Sequence, residues 1–136
     1  MYLLDTDTLV YSLKGEPAVR KNLEDHLQDP IKICAITLME LYFGAYKSSQ
    51  VTANLAIVRK LEESFEILSI GKESAGTFGR LKSSLQKSGT SLDDFDLAIA
   101  SCALGNNLVL VTNNTRHFRR IAGLRIVNWT IYPEKK

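Results

Sequence analysis

The sequence predicts an α/β fold, a parallel β-sheet of four or five strands flanked by helices in one α/β/α sandwich. Three observations predict it. Short runs that are apolar throughout alternate along the chain with longer segments whose apolar residues recur at helical spacing. Strands apolar on both faces belong to parallel sheets covered by helices on either side. The chain has 136 residues, 45% hydrophobic and 24% charged, the size and balance of one globular domain, 1–136, with no linker, repeat or low-complexity segment.

The elements follow in order. Residues 2–4 form a short buried strand ending at Asp5, and residues 8–14 a helix stopped at Lys14-Gly15. Glu16-Pro17 opens another helix, with proline in the first turn where its missing N–H costs nothing. Ile31 to Ile36 reads as the second strand, followed by a helix from Thr37 to about Lys47. From Val51 to Ser64, Leu55, Val58 and Leu61 stand at helical spacing, and Phe65 to Ile70 forms the third strand. A helix from Glu73 to Lys87 ends at Ser88-Gly89, and a loop from Thr90 to Phe95 carries Asp93 and Asp94. Asp96 begins a buried helix closed by Gly105-Asn106. Leu108 to Val111 is the fourth strand, and Arg125 to Val127 a short fifth after a helical turn over 116–121.

Composition narrows the function classes. A formal net charge of +2 permits a nucleic-acid partner but excludes binding by bulk positive charge, so such a role must rest on local placement. Cys34 and Cys102 lack the paired spacing of a zinc site and read as reduced core residues. No apolar run approaches the roughly 18 residues needed to span a bilayer, and the start lacks the charged and apolar regions of a signal. The expectation is a cytoplasmic protein without a membrane partner.

In an open parallel sheet, ligands bind beyond the carboxyl ends of the strands. Asp5 sits at that edge, Glu40 lies in the first turns of the helix leaving strand two, and Thr112, Asn113 and Asn114 follow strand four. The helix begun by Asp96 delivers the chain to the amino end of strand four, so Asp96 starts at the same edge as the others. Asp5, Asp7 and Asp96 also suit simple helix caps. Glu40 is harder to dismiss, because its neighbours one turn away, Ile36, Thr37, Phe43 and Gly44, make an apolar face where a lone carboxylate is costly. Three carboxylates at one edge repel each other unless a cation neutralises them. Oxygen donors without histidine or thiolate select hard ions, hence Mg2+ or Mn2+.

These residues carry a recognisable pattern. The opening Tyr2-Leu-Leu-Asp-Thr-Asp7, the helix Thr37-Leu-Met-Glu-Leu-Tyr-Phe-Gly44, the helix start Phe95-Asp-Leu-Ala-Ile-Ala100, Leu110-Val-Thr-Asn-Asn114 and the closing Gly123-Leu-Arg-Ile-Val-Asn-Trp129 together resemble a PIN domain, specifically the VapC-like toxins of bacterial toxin–antitoxin pairs. The resemblance spans the chain end to end. It implies Asp5, Glu40 and Asp96 as catalytic metal ligands, with Thr112 as a supporting residue, and endonucleolytic cleavage of RNA; Thr6 and Asn114 are further candidate supporting residues. It also implies a homodimer neutralised by a cognate antitoxin.

One departure stands out. Where many PIN domains place a fourth acid two residues after the threonine, this chain has Asn114, and His117 stands where some relatives place an acid. Asp93 is a candidate additional acid, with loop solvation or capping as the plainer alternative. Arg116, Arg119 and Arg120 are candidate RNA-phosphate contacts, and His26 and His117 read as structural or solvent-exposed. Two other readings remain: a haloacid-dehalogenase-like phosphatase with Asp5 as nucleophile and Asp7 as acid or base, and a PIN-like binding module without catalysis.

Overall fold

A computed structural model describes residues 1–134. Its strands are β1 (Tyr2–Leu4), β2 (Ile31–Cys34), β3 (Glu66–Leu68), β4 (Val109–Val111) and β5 (Ile126–Val127). Its helices are α1 (Thr6–Leu13), α2 (Pro17–Asp25), α3 (Ala35–Lys47), α4 (Val51–Ser64), α5 (Lys72–Lys87), α6 (Asp94–Gly105) and α7 (Thr115–Phe118). All strand pairs are parallel, in the order β3-β2-β1-β4-β5. No helix among the described residues is long and apolar enough to cross a membrane.

The two-residue alternation of the strands builds the layers. Leu4, Ile33, Val111 and Val127 face a core closed by Leu9, Leu41, Leu55 and Val58 of α1, α3 and α4, with Trp129 sealed inside it. Their neighbours Leu3, Cys34 and Leu110 face the other way, onto Leu81 and Leu85 of α5, Leu97 to Ala103 of α6 and Phe118 of α7. Leu3, Leu4, Leu110 and Val111 are fully buried, as expected of strands covered on both faces. Truncating one such leucine to alanine typically costs about 2–5 kcal/mol.

Several boundaries differ from the sequence expectation. The second strand ends at Cys34, and Ala35 already begins α3. Ile36 extends the apolar run because the first turn of α3 also faces the core, so hydrophobicity alone does not mark the junction. Helix α6 starts at Asp94 rather than Asp96, because the Asp93 carboxylate caps it by accepting from the Phe95 N–H at 3.1 Å. Two expected stops are in place: Gly15 and Gly89 take positive φ, +82° and +73°, just beyond α1 and α5.

Chain winding passes from β1 to β2 and β3 on one side, then returns to β4 and β5 on the other. The reversal lies between β1 and β4, where the segments leaving the two strands diverge and open a crevice at their carboxyl ends. Asp5 and Thr112 are the first residues beyond those two ends.

Candidate metal centre and active site

Asp5 is held from three directions. Its backbone N–H donates to Val111 O at 3.0 Å, continuing the ladder one residue past the strand. Its Oδ1 accepts from the Thr8 N–H at 2.8 Å, which makes Asp5 the N-cap of α1. The carboxyl is 6% exposed, and burial pushes its pKa above the ordinary value despite hydrogen bonding from Thr112 and from the Thr8 amide and hydroxyl. The capping role anticipated for Asp5 is thus real, and it fixes the carboxylate at the sheet edge. Thr112 is fully buried, and its Oγ1 accepts from the Asn114 N–H at 3.0 Å.

Glu40 reaches the same edge through a hydroxyl bridge. Thr6, the first residue of α1, donates to Glu40 Oε1 at 2.7 Å and lies 3.2 Å from Oγ1 of the buried Thr37. The surroundings of Glu40 differ from the sequence argument. Phe43 is 65% exposed and Gly44 is exposed too, so of the face next to Glu40 only the Ile36 and Thr37 half is covered, and the half after it is turned to solvent. The half-buried carboxylate rests instead on two threonines.

Asp96 lies in the first turn of α6 and is half-buried. Its pKa is pushed up to about 6, first by burial and then by the charges of Asp93, Glu40, Asp5 and Asp7. Carboxylates at the start of α1, on α3 and at the cap of α6 thus all bear on Asp96. Asp94, by contrast, is turned away into an ion pair with Lys82 at 3.0 Å.

The donor chemistry fits a hard divalent cation, since the groups brought together are carboxylate and hydroxyl oxygens, two of the acids carry raised pKa values, and no thiolate joins them. Among the described residues, however, no group of three or more His, Cys, Asp or Glu side chains already stands in metal-holding arrangement. Asp5 and Glu40 are each hydrogen-bonded to neutral donors, the Thr8 N–H and the Thr6 hydroxyl.

The remaining candidates divide. Asn114 is the residue before α7, and its Oδ1 is paired with Nδ1 of the exposed His117. Arg116, Arg119 and Arg120 are exposed on α7 and just after it. His26 is structural: it stacks on Trp129 with ring centroids 4.8 Å apart, and its Nδ1 lies 2.8 Å from Asn22 O. Sequence reasoning gave no role to Thr8 or Thr37. The signal for Thr37 is its place three residues before Glu40, on the same helix face.

Known proteins resemble this chain along nearly its whole length. The family model for the PIN domain matches residues 2–124. The tRNA(fMet)-specific endonuclease VapC of Shigella flexneri is 33% identical over 129 residues, covering 95% of this chain and 98% of that protein. Its counterpart from Salmonella typhimurium is 36% identical over 128 residues, covering 94% and 97%. The crystal structure of VapBC2 from Rickettsia felis, bound to a DNA fragment from its promoter, superposes with a TM-score of 0.88 at 33% identity, covering 94% of this chain and 98% of that one.

Proposed function

The chain belongs to the PIN-domain family, and from that premise we propose that it is a Mg2+- or Mn2+-dependent endoribonuclease acting as the toxin of a toxin–antitoxin pair. The observation that carries the reading is the arrangement at the β1/β4 edge, where Asp5 caps α1 just beyond β1, Thr6 ties Glu40 of α3 to the same helix start, and Asp96 of α6 feels the charges of both acids. Endonuclease and ribonuclease relatives matched along nearly their whole length support the same chemistry. The phosphatase alternative has no counterpart among these relatives.

Asp5, Glu40 and Asp96 would hold the cation through carboxylate oxygens. When bound, a divalent ion neutralises phosphate charge and makes a water nucleophilic near neutral pH. The protein's own part is orientation. The Thr8 N–H and Thr112 hold the Asp5 carboxylate, while the Thr6 hydroxyl holds that of Glu40. Asn114 supports Thr112 through its backbone N–H, and Asp93 adds negative charge beside Asp96. Arg116, Arg119 and Arg120 supply cations for RNA phosphates at the mouth.

The neutralising partner is a cognate antitoxin, as in the VapBC complexes of the structural relatives. The face offered to it is a groove of about 580 Å3 lined by Val10, Leu13, Leu41, Ala45, Ile57 and Val58 of α1, α3 and α4. Assembly as a homodimer belongs to the same proposal.

The test is cleavage of RNA by the purified chain with Mg2+ or Mn2+ against EDTA, with new ends mapped. Asp5→Asn, Glu40→Gln and Asp96→Asn are each expected to abolish cleavage and to leave far-UV circular dichroism unchanged, since each removes charge at nearly constant volume. Cleavage that persists in all three variants, or in EDTA, overturns the assignment.

A further inference from the structure

Five phenylalanines occur in the chain, and their placement is uneven. Phe118 is buried, and Phe65 and Phe78 pack against the two cores. Phe43 and Phe95 are 65% and 45% exposed. These two come from different helices, yet each borders a candidate metal-holding acid: Phe43 stands one turn after Glu40 on α3, and Phe95 directly precedes Asp96 on α6. Helices α3 and α6 are themselves in contact. Neither ring belongs to the two cores, and folding leaves both partly exposed to water.

Phe43 also carries a cation. The Lys47 Nζ lies 5.2 Å from its ring centroid, one helical turn further on, within cation–π range. An exposed ring with an ammonium at its side offers a π-surface and a positive charge together, the pairing that single-stranded nucleic acid uses. Met39 and Tyr46, also exposed on α3, extend the apolar strip and would suit a protein partner. Phe95 lies outside that strip, on a second helix, and what it shares with Phe43 is the acidic edge.

We propose that Phe43 and Phe95 are stacking platforms for bases of single-stranded RNA on either side of the scissile phosphate, with Lys47 neutralising a phosphate beside Phe43. The proposal rests on the endoribonuclease reading and adds how the strand is gripped. Stacking on a ring is tolerant of base identity, so these residues contribute grip and spacing rather than sequence preference.

Binding is measured separately from cleavage. A fluorescein-labelled single-stranded RNA is titrated in EDTA with the full chain carrying Asp5→Asn, followed by anisotropy, and then with Phe43→Ala or Phe95→Ala added. Each alanine is expected to weaken binding about fivefold or more, the range for loss of one stacked base. Phe43→Trp and Phe95→Trp are expected to retain binding, and a new tryptophan there should be quenched by RNA, unlike the buried Trp129. Abasic substitutions at the nucleotides flanking the cleavage site should erase the difference between parent and alanine variants. Unchanged RNA affinity in both alanine variants, while the unsubstituted chain with Mg2+ or Mn2+ cuts RNA, overturns the stacking proposal and leaves the nuclease reading standing. If the same variants also lose self-association or antitoxin binding, the patch is a protein interface. An unsubstituted chain that neither binds RNA nor cuts it with Mg2+ or Mn2+ overturns both.

Discussion

At the scale of single residues, the acids of the site are held under electrostatic stress. Asp96 titrates near 6 in the fold against 3.8 for an ordinary aspartate. Between those pH values the folded chain keeps a proton that the unfolded chain has released, so stability of the metal-free protein falls as pH rises through that window and levels off above it. Burial raises Asp5 in the same direction. In EDTA at pH 7.5, Asp96→Asn is therefore expected to melt above the parent, and at pH 4 or below the two should converge. Thermal melts across this range decide the matter: a variant melting below the parent at pH 7.5 identifies Asp96 as a structural carboxylate. Asp5 and Asp96 were legible in the sequence because an apolar strand and an apolar helix point them at one edge. The environment of Glu40 was not, since the same apolar letters at Phe43 and Gly44 describe a core face and an uncovered surface equally well.

At the scale of elements, the junctions are where sequence reading and structure part. The end of β2 and the start of α3 are both buried, so the run Ile31 to Ile36 contains no polar residue after Lys32 to mark the change of period. The acids Asp93, Asp94 and Asp96 all suit the first turn of α6, and geometry gives the cap to Asp93. One close approach between α5 and α6 was equally invisible, because it depends on a small residue at the end of α6. A Cβ at Gly105 would lie 2.9 Å from the Ser74 Oγ, too close without a shift of the serine. Alanine is otherwise preferred over glycine in a helix by about 1 kcal/mol. The two effects oppose each other in Gly105→Ala, which is expected to gain nothing or to lose stability. With Ser74→Ala already present the obstacle is gone, and adding Gly105→Ala should then stabilise by about 0.5–1 kcal/mol. Urea unfolding of the four proteins in this cycle measures the coupling, and simple additivity would mean that Ser74 and Gly105 do not meet.

At the scale of the whole molecule, the fold carries an acidic edge and an apolar flank. The acids lie beyond the carboxyl ends of β1 and β4, while the groove between α1, α3 and α4 is closed at its floor by core residues Leu41, Ala45 and Val58 and open at its rim, where Leu13 and Ile57 are 42% and 45% exposed. Helix α3 belongs to both, with Glu40 at the edge and Leu41 and Ala45 in the groove. A partner seated in the groove therefore lies along the helix that positions the Glu40 carboxylate, one of the acids assigned to the metal in the proposed function. Covering a large aliphatic side chain contributes about 1.5–3 kcal/mol, and an aspartate in its place would in addition lose water from a charge. Leu13→Asp and Ile57→Asp are each expected to weaken antitoxin binding by about tenfold or more while the free protein cuts RNA as before, since neither residue touches the acids. Titrating purified antitoxin into a cleavage reaction, parent against variant, reads this as a rise in the antitoxin concentration that halves the rate. Equal inhibition of parent and both variants would place the antitoxin on another face and leave the groove without its assigned occupant.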